Sequence, residues 1–303
     1  MASLKKEYIG ATLVCIAATL WGFDGIVLTP RLHKLDVAYV VFILHLIPLV
    51  GMSFLFGKTE VKNIIKLSEQ DLFFYFLIAL FGGSIGTLAI VKALFLVNFD
   101  HLTVVTLLQK LQPVFAIVLA RIILKEKIRS NFILWAIIAL ISGYLLTFQF
   151  SLPVLGDNKN IGLASLYAIL AAFSFGSSTV FGKKILTNSS FRTALYTRYL
   201  FTSIIMFGIV GIGGKFVWIE KTTEFQWMIF TIISLTTGSG AVLLYYKGLA
   251  YIKANVATMC ELCFPVSSIV FDYIFNGHLL SITQSFAVVV LLFSIYKITK
   301  EEN

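Results

Sequence analysis

Ten apolar runs divide this chain, and they constrain its fold more than any other feature. A helix that crosses the hydrocarbon core of a bilayer needs about 20 predominantly apolar residues. Short connections separate many of the runs, so successive runs are predicted to form antiparallel helices. The chain is therefore predicted to be an all-α integral membrane protein with ten transmembrane helices. Numbered as segments 1 to 10, the runs cover residues 8–29, 37–56, 72–97, 102–124, 132–150, 161–182, 193–213, 226–251, 255–275 and 282–298.

The composition also favours a membrane protein over a soluble one. Hydrophobic residues make up 58% of the chain and charged residues 13%, whereas soluble domains carry about 25% charged residues. The net charge of +9 comes largely from short basic stretches between segments, so no nucleic-acid partner is predicted. The three cysteines (Cys15, Cys260 and Cys263) lie inside apolar segments. They are interpreted as buried thiols, with no disulfide, metal site or cofactor predicted.

Lys and Arg are unevenly divided between the connections, which predicts how the chain is oriented. Cytoplasmic connections of membrane proteins carry an excess of these residues. Of the 24 Lys and Arg residues, 15 lie in the connections that share a side with the N-terminus and 5 lie on the other side. The bias predicts a multi-pass protein of the plasma (inner) membrane with both termini in the cytoplasm.

The second half of the chain repeats the first. The dipeptide Gly83-Ser84 recurs 155 residues later as Gly238-Ser239, and Pro113 recurs 152 residues later as Pro265. The predicted domains are a first five-helix repeat over 1–153 and a second over 154–303. Because five is an odd number, the second repeat must enter the membrane upside down. Inverted repeats are typical of secondary transporters, whose substrate site lies near the midplane between the halves.

Three motifs follow one another along the chain: Ala17-Ala18-x-x-Trp21-Gly22, Leu111-Gln112-Pro113-Val114-Phe115 and Leu124-Lys125-Glu126-Lys127. With these motifs the chain resembles the EamA-type members of the drug/metabolite transporter superfamily, over essentially its whole length. The resemblance implies that segments 1–4 and 6–9 surround a central cavity, and that small organic solutes such as amino acids are transported, often by export. It also marks Glu126 as the family-motif acid, although the residue at the end of segment 9 that should match it is His278.

Proline at 113 and at 265 predicts a helix break in segments 4 and 9. A proline inside a helix removes one N–H and clashes with the carbonyl four residues back, which here belongs to Gln109 or Glu261. Freed carbonyls beside polar side chains are used by transporter sites. The alternative is structural, with Gln109 satisfying the kink and Glu261 forming a packing ion pair with Lys110.

Ionisable residues inside the segments are the next candidates, because charges in hydrocarbon are costly and usually functional. Burial disfavours the ionised carboxyl form, so Glu261 is the best candidate for proton coupling. An unperturbed histidine titrates near neutrality, so His45 is a second candidate, unless it only bonds a neighbouring helix. Asp24 is predicted to line the cavity or to mark a helix end, and Arg198 aligns with His45 in the repeat.

Aromatic side chains on the cavity-lining segments predict where a planar or cationic solute could stack. The candidates are Trp21, Phe175, Tyr245 and Tyr246. Basic residues inside the segments outnumber acidic ones, which favours a solute that bears a carboxylate, such as an amino acid.

The sequence does not indicate an enzyme. It lacks a phosphate-binding loop and His-Glu-x-x-His, so neither an enzyme nor an ATP-driven pump is predicted. The predicted function is secondary active export of small metabolites by alternating access with proton coupling, with the solute, membrane lipid and protons as partners. The alternatives are an importer of quaternary amines and a lipid-linked carrier or flippase. The oligomeric state does not follow from the sequence.

Overall fold

The computed structural model describes residues 2–96, 105, 108–150, 159–277, 279 and 281–301, and it contains no strand within them. The α-helices whose bounds the structure gives are, up to Ile185, α1 Ala2–Phe23, α2 Val37–Ile65, α3 Glu69–Ile78, α4 Gly86–Leu96, α5 Gln112–Leu119, α6 Ser130–Phe148 and α7 Lys159–Ile185. The remaining ones are α8 Phe191–Ile212, α9 Trp218–Lys221, α10 Glu224–Ile233, α11 Ser239–Tyr251, α12 Ala254–Cys260, α13 Cys263–Asn276 and α14 Ile282–Glu301.

Eight helical stretches within the described residues are long and apolar enough to cross a membrane. Two shorter apolar stretches, Gln112–Leu124 and Ser130–Leu146, belong to segments 4 and 5. The beginning of segment 4 lies largely outside the described residues. The chain is thus a multi-pass helical membrane protein, while a total of ten spanning helices stays a prediction. The eight stretches are Lys5–Leu32, Val37–Ile65, Glu69–Ala93, Gly162–Ile185, Phe191–Ile212, Glu224–Tyr251, Ala254–Phe275 and Ile282–Lys300.

Polar residues in the connections determine where several helices begin. The Asp36 carboxylate accepts hydrogen bonds from the backbone N–H groups of Ala38 and Tyr39, at 3.0 and 3.3 Å, and so caps α2. Ser190 caps α8 in the same way, and Thr223 forms a capping box at α10. Such caps satisfy N–H groups that have no partner within the helix.

Segments 3 and 8 each contain a π-helical turn at corresponding places, Ala79–Ile85 and Ser234–Gly238. A π turn inserts one residue into an α-helix and leaves its hydrogen-bonding pattern irregular. The hydroxyl of Ser84 donates to the carbonyl five residues back, at 3.1 Å, and Ser239 does the same at 2.6 Å. The recurring Gly-Ser dipeptide therefore accompanies the same irregularity and the same side-chain bond in both halves.

The contacts between segments follow an exchange pattern, which means that they are the same when the two halves of the chain are interchanged. Segment 1 packs against segments 8 and 9, and segment 6 packs against segments 3 and 4. Segment 2 packs against segment 7, and segment 5 against segment 10. Replacing each segment by its counterpart in the other half (1 by 6, 2 by 7, 3 by 8, 4 by 9 and 5 by 10, and the reverse) gives the same set of contacts.

Two glycines at corresponding places allow close approaches between segments that surround the centre. A Cβ atom on Gly22 would lie 2.9 Å from the backbone nitrogen of Ser268, and one on Gly176 would lie 3.0 Å from that of Ala116. The two glycines come from the repeated Ala-Ala-x-x-aromatic-Gly motif, and their contacts fall at corresponding places in segments 9 and 4. The alanines of both motifs, Ala17, Ala18, Ala171 and Ala172, are fully buried.

Different connections between segments lie at the two ends of the helix bundle. At one end a cavity of about 140 Å³ is lined by Glu7, Lys183, Lys253 and Thr299, among others, from segments 1, 6, 9 and 10. At the other end Lys215 forms an ion pair with Asp36 at 3.1 Å. The first and last helices therefore have their chain termini at the same end of the bundle.

The substitution Gly176→Ala should destabilise the protein, because the new Cβ atom would contact backbone atoms of segment 4. Overpacking a close contact costs about 1–3 kcal/mol. Thermal unfolding of the purified protein in detergent should therefore shift to a lower temperature. The matched control is Gly208→Ala, since nothing lies within 4 Å of that position and alanine is the better helix former. Equal unfolding temperatures for the two variants would contradict the close contact.

Candidate functional site

Segments 4 and 9 are both interrupted just before a proline. Lys110 and Leu111 form a turn ahead of α5, and Glu261 and Leu262 form the turn between α12 and α13. A proline near the start of a helix is tolerated because an N–H at that position has no helical partner. Segment 9 thus consists of two helical pieces, α12 and α13, and α5 of segment 4 begins at the corresponding turn.

The backbone at the second break differs from the sequence-based expectation. The carbonyl of Glu261 was expected to lose its partner, but it accepts a hydrogen bond from the N–H of Phe264 at 2.9 Å. The break tightens into a turn that satisfies this carbonyl locally. The polar group that faces other segments at this point is therefore the Glu261 side chain.

Glu261 is the polar centre where four segments meet. Its carboxylate accepts hydrogen bonds from the Gln112 amide, from the Tyr245 hydroxyl at 2.9 Å and from the Thr179 hydroxyl at 3.2 Å. The Thr179 and Tyr245 hydroxyl oxygens lie 2.8 Å apart, so either hydroxyl can donate its single proton to the other in place of the carboxylate. The donors come from segments 4, 8 and 6, and Glu261 itself lies on segment 9 and is half-buried. The carboxylate is thus shared by both halves of the chain.

The packing ion pair between Glu261 and Lys110 is not formed, so this alternative is wrong. The Lys110 ammonium donates to the carbonyl of Gly143 on α6 instead, because the turn at 110–111 directs the side chain toward segment 5. Gln109 lies just before the same turn and is half-buried. All three side chains that bond Glu261 are neutral.

Arg198 on α8 is a half-buried cation at the edge of this cluster. Its guanidinium donates to the carbonyl of Gly82 at 3.1 Å and to the Tyr246 hydroxyl at 3.3 Å, and it lies 5.9 Å from the centre of the Tyr246 ring. Gly82 belongs to the π turn of segment 3. The Tyr246 ring lies 5.8 Å from that of Tyr245, so the cation and the carboxylate are linked through two adjacent tyrosines.

Two of the other candidates border this cluster. The Trp21 ring lies 5.5 Å from that of Tyr245 and thus beside the partner of Glu261. His45 bonds the carbonyl of Val41 through Nδ1 at 2.8 Å, and its ring lies 5.2 Å from that of Tyr199, next to Arg198 in the chain. Trp21 therefore borders the carboxylate, whereas His45 lies on the side of the cation.

Phe175 and Asp24 lie elsewhere. Phe175 is one turn before Thr179 on α7, and its ring packs near Gly86 of α4. Asp24 begins a π turn at the far end of α1, beside Thr237 of segment 8, and its Oδ1 atom is buried with no hydrogen-bond partner among the described residues. The structure therefore does not bring these two side chains into contact with Glu261.

The sequence reasoning missed Gln112 and Thr179 as site residues. Gln112 directly precedes Pro113, so its position in the motif could have identified it. Thr179 lies four residues after Phe175, on the same face of a segment expected to line the cavity. Both are small or neutral polar residues, which give a weaker signal in an apolar segment than a charge does.

Glu126 is separate from this cluster and has a definite structural role. Its carboxylate accepts hydrogen bonds from the backbone N–H groups of Ala254, at 2.8 Å, and Asn255, at 3.2 Å. Lys125 has a positive φ of 54°, which ends the preceding turn and directs Glu126 toward segment 9. The end of segment 4 thus caps the start of α12. His278, which stands where a matching acid was expected, lies outside the described residues.

The model of the EamA-like transporter family matches residues 8–148 and 162–300. Because these matches cover nearly the whole chain, the protein belongs to that family. It is therefore a small-molecule transporter of the membrane and not an enzyme, as the sequence predicted.

Two individual proteins refine this assignment. The Riboflavin transporter ImpX of Fusobacterium nucleatum subsp. nucleatum is 64% identical over 291 residues, which are 96% of this chain and 97% of the relative. A protein crystal structure with 14% identity covers 95% of both chains with a TM-score of 0.73. The structural likeness supports the fold alone.

Pro265→Ala should impair transport more than membrane insertion. Alanine restores the N–H that could continue α12 into α13 and straighten the turn that carries Glu261. We expect a several-fold lower rate of solute transport in reconstituted vesicles, at an unchanged amount of protein in the membrane. Pro48→Ala is the matched control, because Pro48 lies inside the continuous helix α2. A normal rate for Pro265→Ala would remove the argument for the break.

Proposed function

We propose that this protein is a secondary transporter of riboflavin, and that the solute binds at the cluster around Glu261. Riboflavin is proposed as the substrate because the chain is 64% identical to a riboflavin transporter over nearly all of both chains. The chemistry of the cluster supports the position of the site.

Riboflavin has a flat tricyclic ring with one apolar edge and one polar edge. The polar edge presents an N–H donor between two carbonyl acceptors. Glu261 can accept from this N–H, and Arg198 can donate to a carbonyl. Trp21 and Tyr245 supply aromatic faces against which the ring can stack. A mainly apolar site with a few placed polar groups is the common form of a small-molecule site.

Gln112 occupies the position that the flavin N–H would take. Its side-chain amide donates to Glu261, and the imide N–H of the flavin is a donor of the same kind. A bound flavin would displace this amide, while the Tyr245 and Thr179 hydroxyls could keep their bonds to the carboxylate. Because Gln112 begins α5, the displacement would act directly on the break in segment 4.

The charges of the cluster suit a neutral solute. One carboxylate, Glu261, and one guanidinium, Arg198, contribute opposite formal charges, and the Lys110 ammonium is directed toward segment 5. A transported amino acid would need partners for both its carboxylate and its ammonium. A quaternary amine would use Glu261 with the aromatic rings, so both solute classes belong in the test below.

The proposal includes two inverted five-helix repeats, 1–153 and 154–303, that provide ten transmembrane helices and work by alternating access. Three observations support the repeat: the exchange pattern of the segment contacts, the paired π turns and the paired glycine contacts. Glu261 is proposed to carry the coupling proton. Export, the plasma membrane and cytoplasmic termini rest on the resemblance and the charge bias, and they stay predictions.

Riboflavin transport can be measured by flavin fluorescence in proteoliposomes that contain the purified protein. We expect transport by the wild type, and an apparent affinity about tenfold weaker for Trp21→Ala, because loss of one stacking contact costs about 1.5 kcal/mol. Trp218→Ala, at the far end of the bundle, should leave the affinity unchanged. Transport of labelled amino acids or of a quaternary amine, with no transport of riboflavin, would contradict the proposed substrate.

Glu261→Gln should remove the response of transport to a pH gradient. Glutamine keeps the shape and most hydrogen bonds of the site but cannot exchange a proton. Riboflavin transport by the wild type should rise when a proton gradient is imposed across the vesicle membrane, and the variant should show no such rise. Glu220→Gln, on an exposed short helix, serves as the control. A normal response in Glu261→Gln would reject this residue as the proton carrier.

A further inference from the structure

The turn between α11 and α12, residues 252–253, is held at both ends by charged side chains from other segments. Glu126, at the end of segment 4, binds the start of α12. Lys183, at the end of segment 6, binds the end of α11. The turn lies at the same end of the bundle as the cavity of about 140 Å³, which Lys183 also lines.

Glu126 supplies the cap that α12 does not supply for itself. The N-cap residue of α12 is Lys253, which makes no side-chain cap bond. The carboxylate of Glu126 instead accepts from the N–H groups of Ala254 and Asn255, at 2.8 and 3.2 Å. A carboxylate at a helix N-terminus is stabilised both by these bonds and by the helix dipole. Two segments from different halves are thereby joined by a charge-assisted contact.

Lys183 completes the contact on the other side of the turn. Its ammonium donates to the carbonyls of Leu249 at 2.9 Å and Ala250 at 3.3 Å, which belong to the last turn of α11. Cations are favoured at a helix C-terminus for the same reason that anions are favoured at the N-terminus. Lys183 and Glu126 also attract each other. The turn is thus clamped by a pair of opposite charges.

The clamp is connected to the solute site by one short rigid helix. Glu126 binds the first two residues of α12, and Glu261 directly follows the last residue of that helix, Cys260. Separating segments 4 and 9 at this end would break the Glu126 contacts and tilt α12, which would move Glu261 relative to Gln112. Helix α12 therefore connects the clamp at its start with the solute site at its end.

We propose that Glu126 and Lys183 form a latch that closes this end of the transport path and releases once in each cycle. Both are positioning residues, since they act on the solute site through α12 and α11. The latch rests on the alternating access of the proposed function. In the sequence the residue that corresponds to Glu126 in the second half is His278, so the repeat does not supply a second carboxylate at the matching position.

The latch can be tested with Glu126→Gln and Lys183→Met in the full-length protein. Glu224→Gln is the control for the first, because Glu224 is an exposed acid at the start of a helix at the other end of the bundle. Lys184→Met controls for loss of a positive charge next to Lys183. Hydrogen exchange of residues 249–256 measures the latch itself, without any solute. The KM for riboflavin, measured separately from each side of oriented vesicles, measures its role in transport.

Glu126→Gln should raise the exchange rates of the Ala254 and Asn255 amides by about tenfold or more, because their acceptor is weakened. It should also lower the KM on the latch side and raise the KM on the opposite side by similar factors, up to about tenfold, since the open and closed populations shift. Lys183→Met should act in the same directions, and both controls should match the wild type.

A merely structural role would give a different pattern. Unchanged exchange, or KM values that worsen on both sides together with a lower unfolding temperature, would overturn the proposal. If Glu126→Gln does not fold, Glu126→Asp replaces it, since it keeps the charge on a shorter side chain and should give smaller shifts in the same directions. If riboflavin is not transported, the KM comparison is made with the amino acid or quaternary amine that is transported, so that the difference between the two sides still decides. If the latch fails, the results for Trp21 and Glu261 still test the proposed function.

Discussion

The satisfaction of backbone hydrogen bonds in a medium without water is the constraint on which this structure depends. An irregular helix in a bilayer leaves polar backbone groups that lipid cannot satisfy, so each irregularity needs a partner from the protein. The π turns of segments 3 and 8 are bonded by Ser84 and Ser239, and Arg198 takes the carbonyl of Gly82. Irregular backbone, polar side chains and the candidate site therefore occur together for one physical reason.

The same constraint explains how two charged groups are kept inside the bundle. A charge placed in hydrocarbon is costly unless it is hydrogen-bonded. Glu261 has three neutral donors, and Arg198 has a carbonyl, a hydroxyl and an aromatic face. Neither group is bound to the other, so each can exchange a neutral partner for a solute at lower cost than breaking a buried ion pair.

Much of the fold follows from the sequence, because segment length, the repeat and the prolines are encoded in residue type and order. The positions of Glu261, Trp21, Tyr245 and Arg198 near one another follow from the same reasoning. The direction in which each side chain points does not follow from the sequence. Lys110 and Gln112 are two residues apart at one break, yet Lys110 reaches segment 5 and Gln112 reaches Glu261. Which side each faces depends on the turn between them, and the proline predicts that turn only approximately.

The π turn of segment 8 has a consequence for the aromatic face of the site. Successive side chains of an α-helix are separated by about 100° around its axis, and one inserted residue rotates everything that follows by that angle. Tyr245 and Tyr246 come after the insertion at Ser234–Gly238. The extra residue therefore determines which side of α11 faces Glu261. A relative that lacked this residue would present another set of side chains there, and its solute preference could change without any substitution in the site itself.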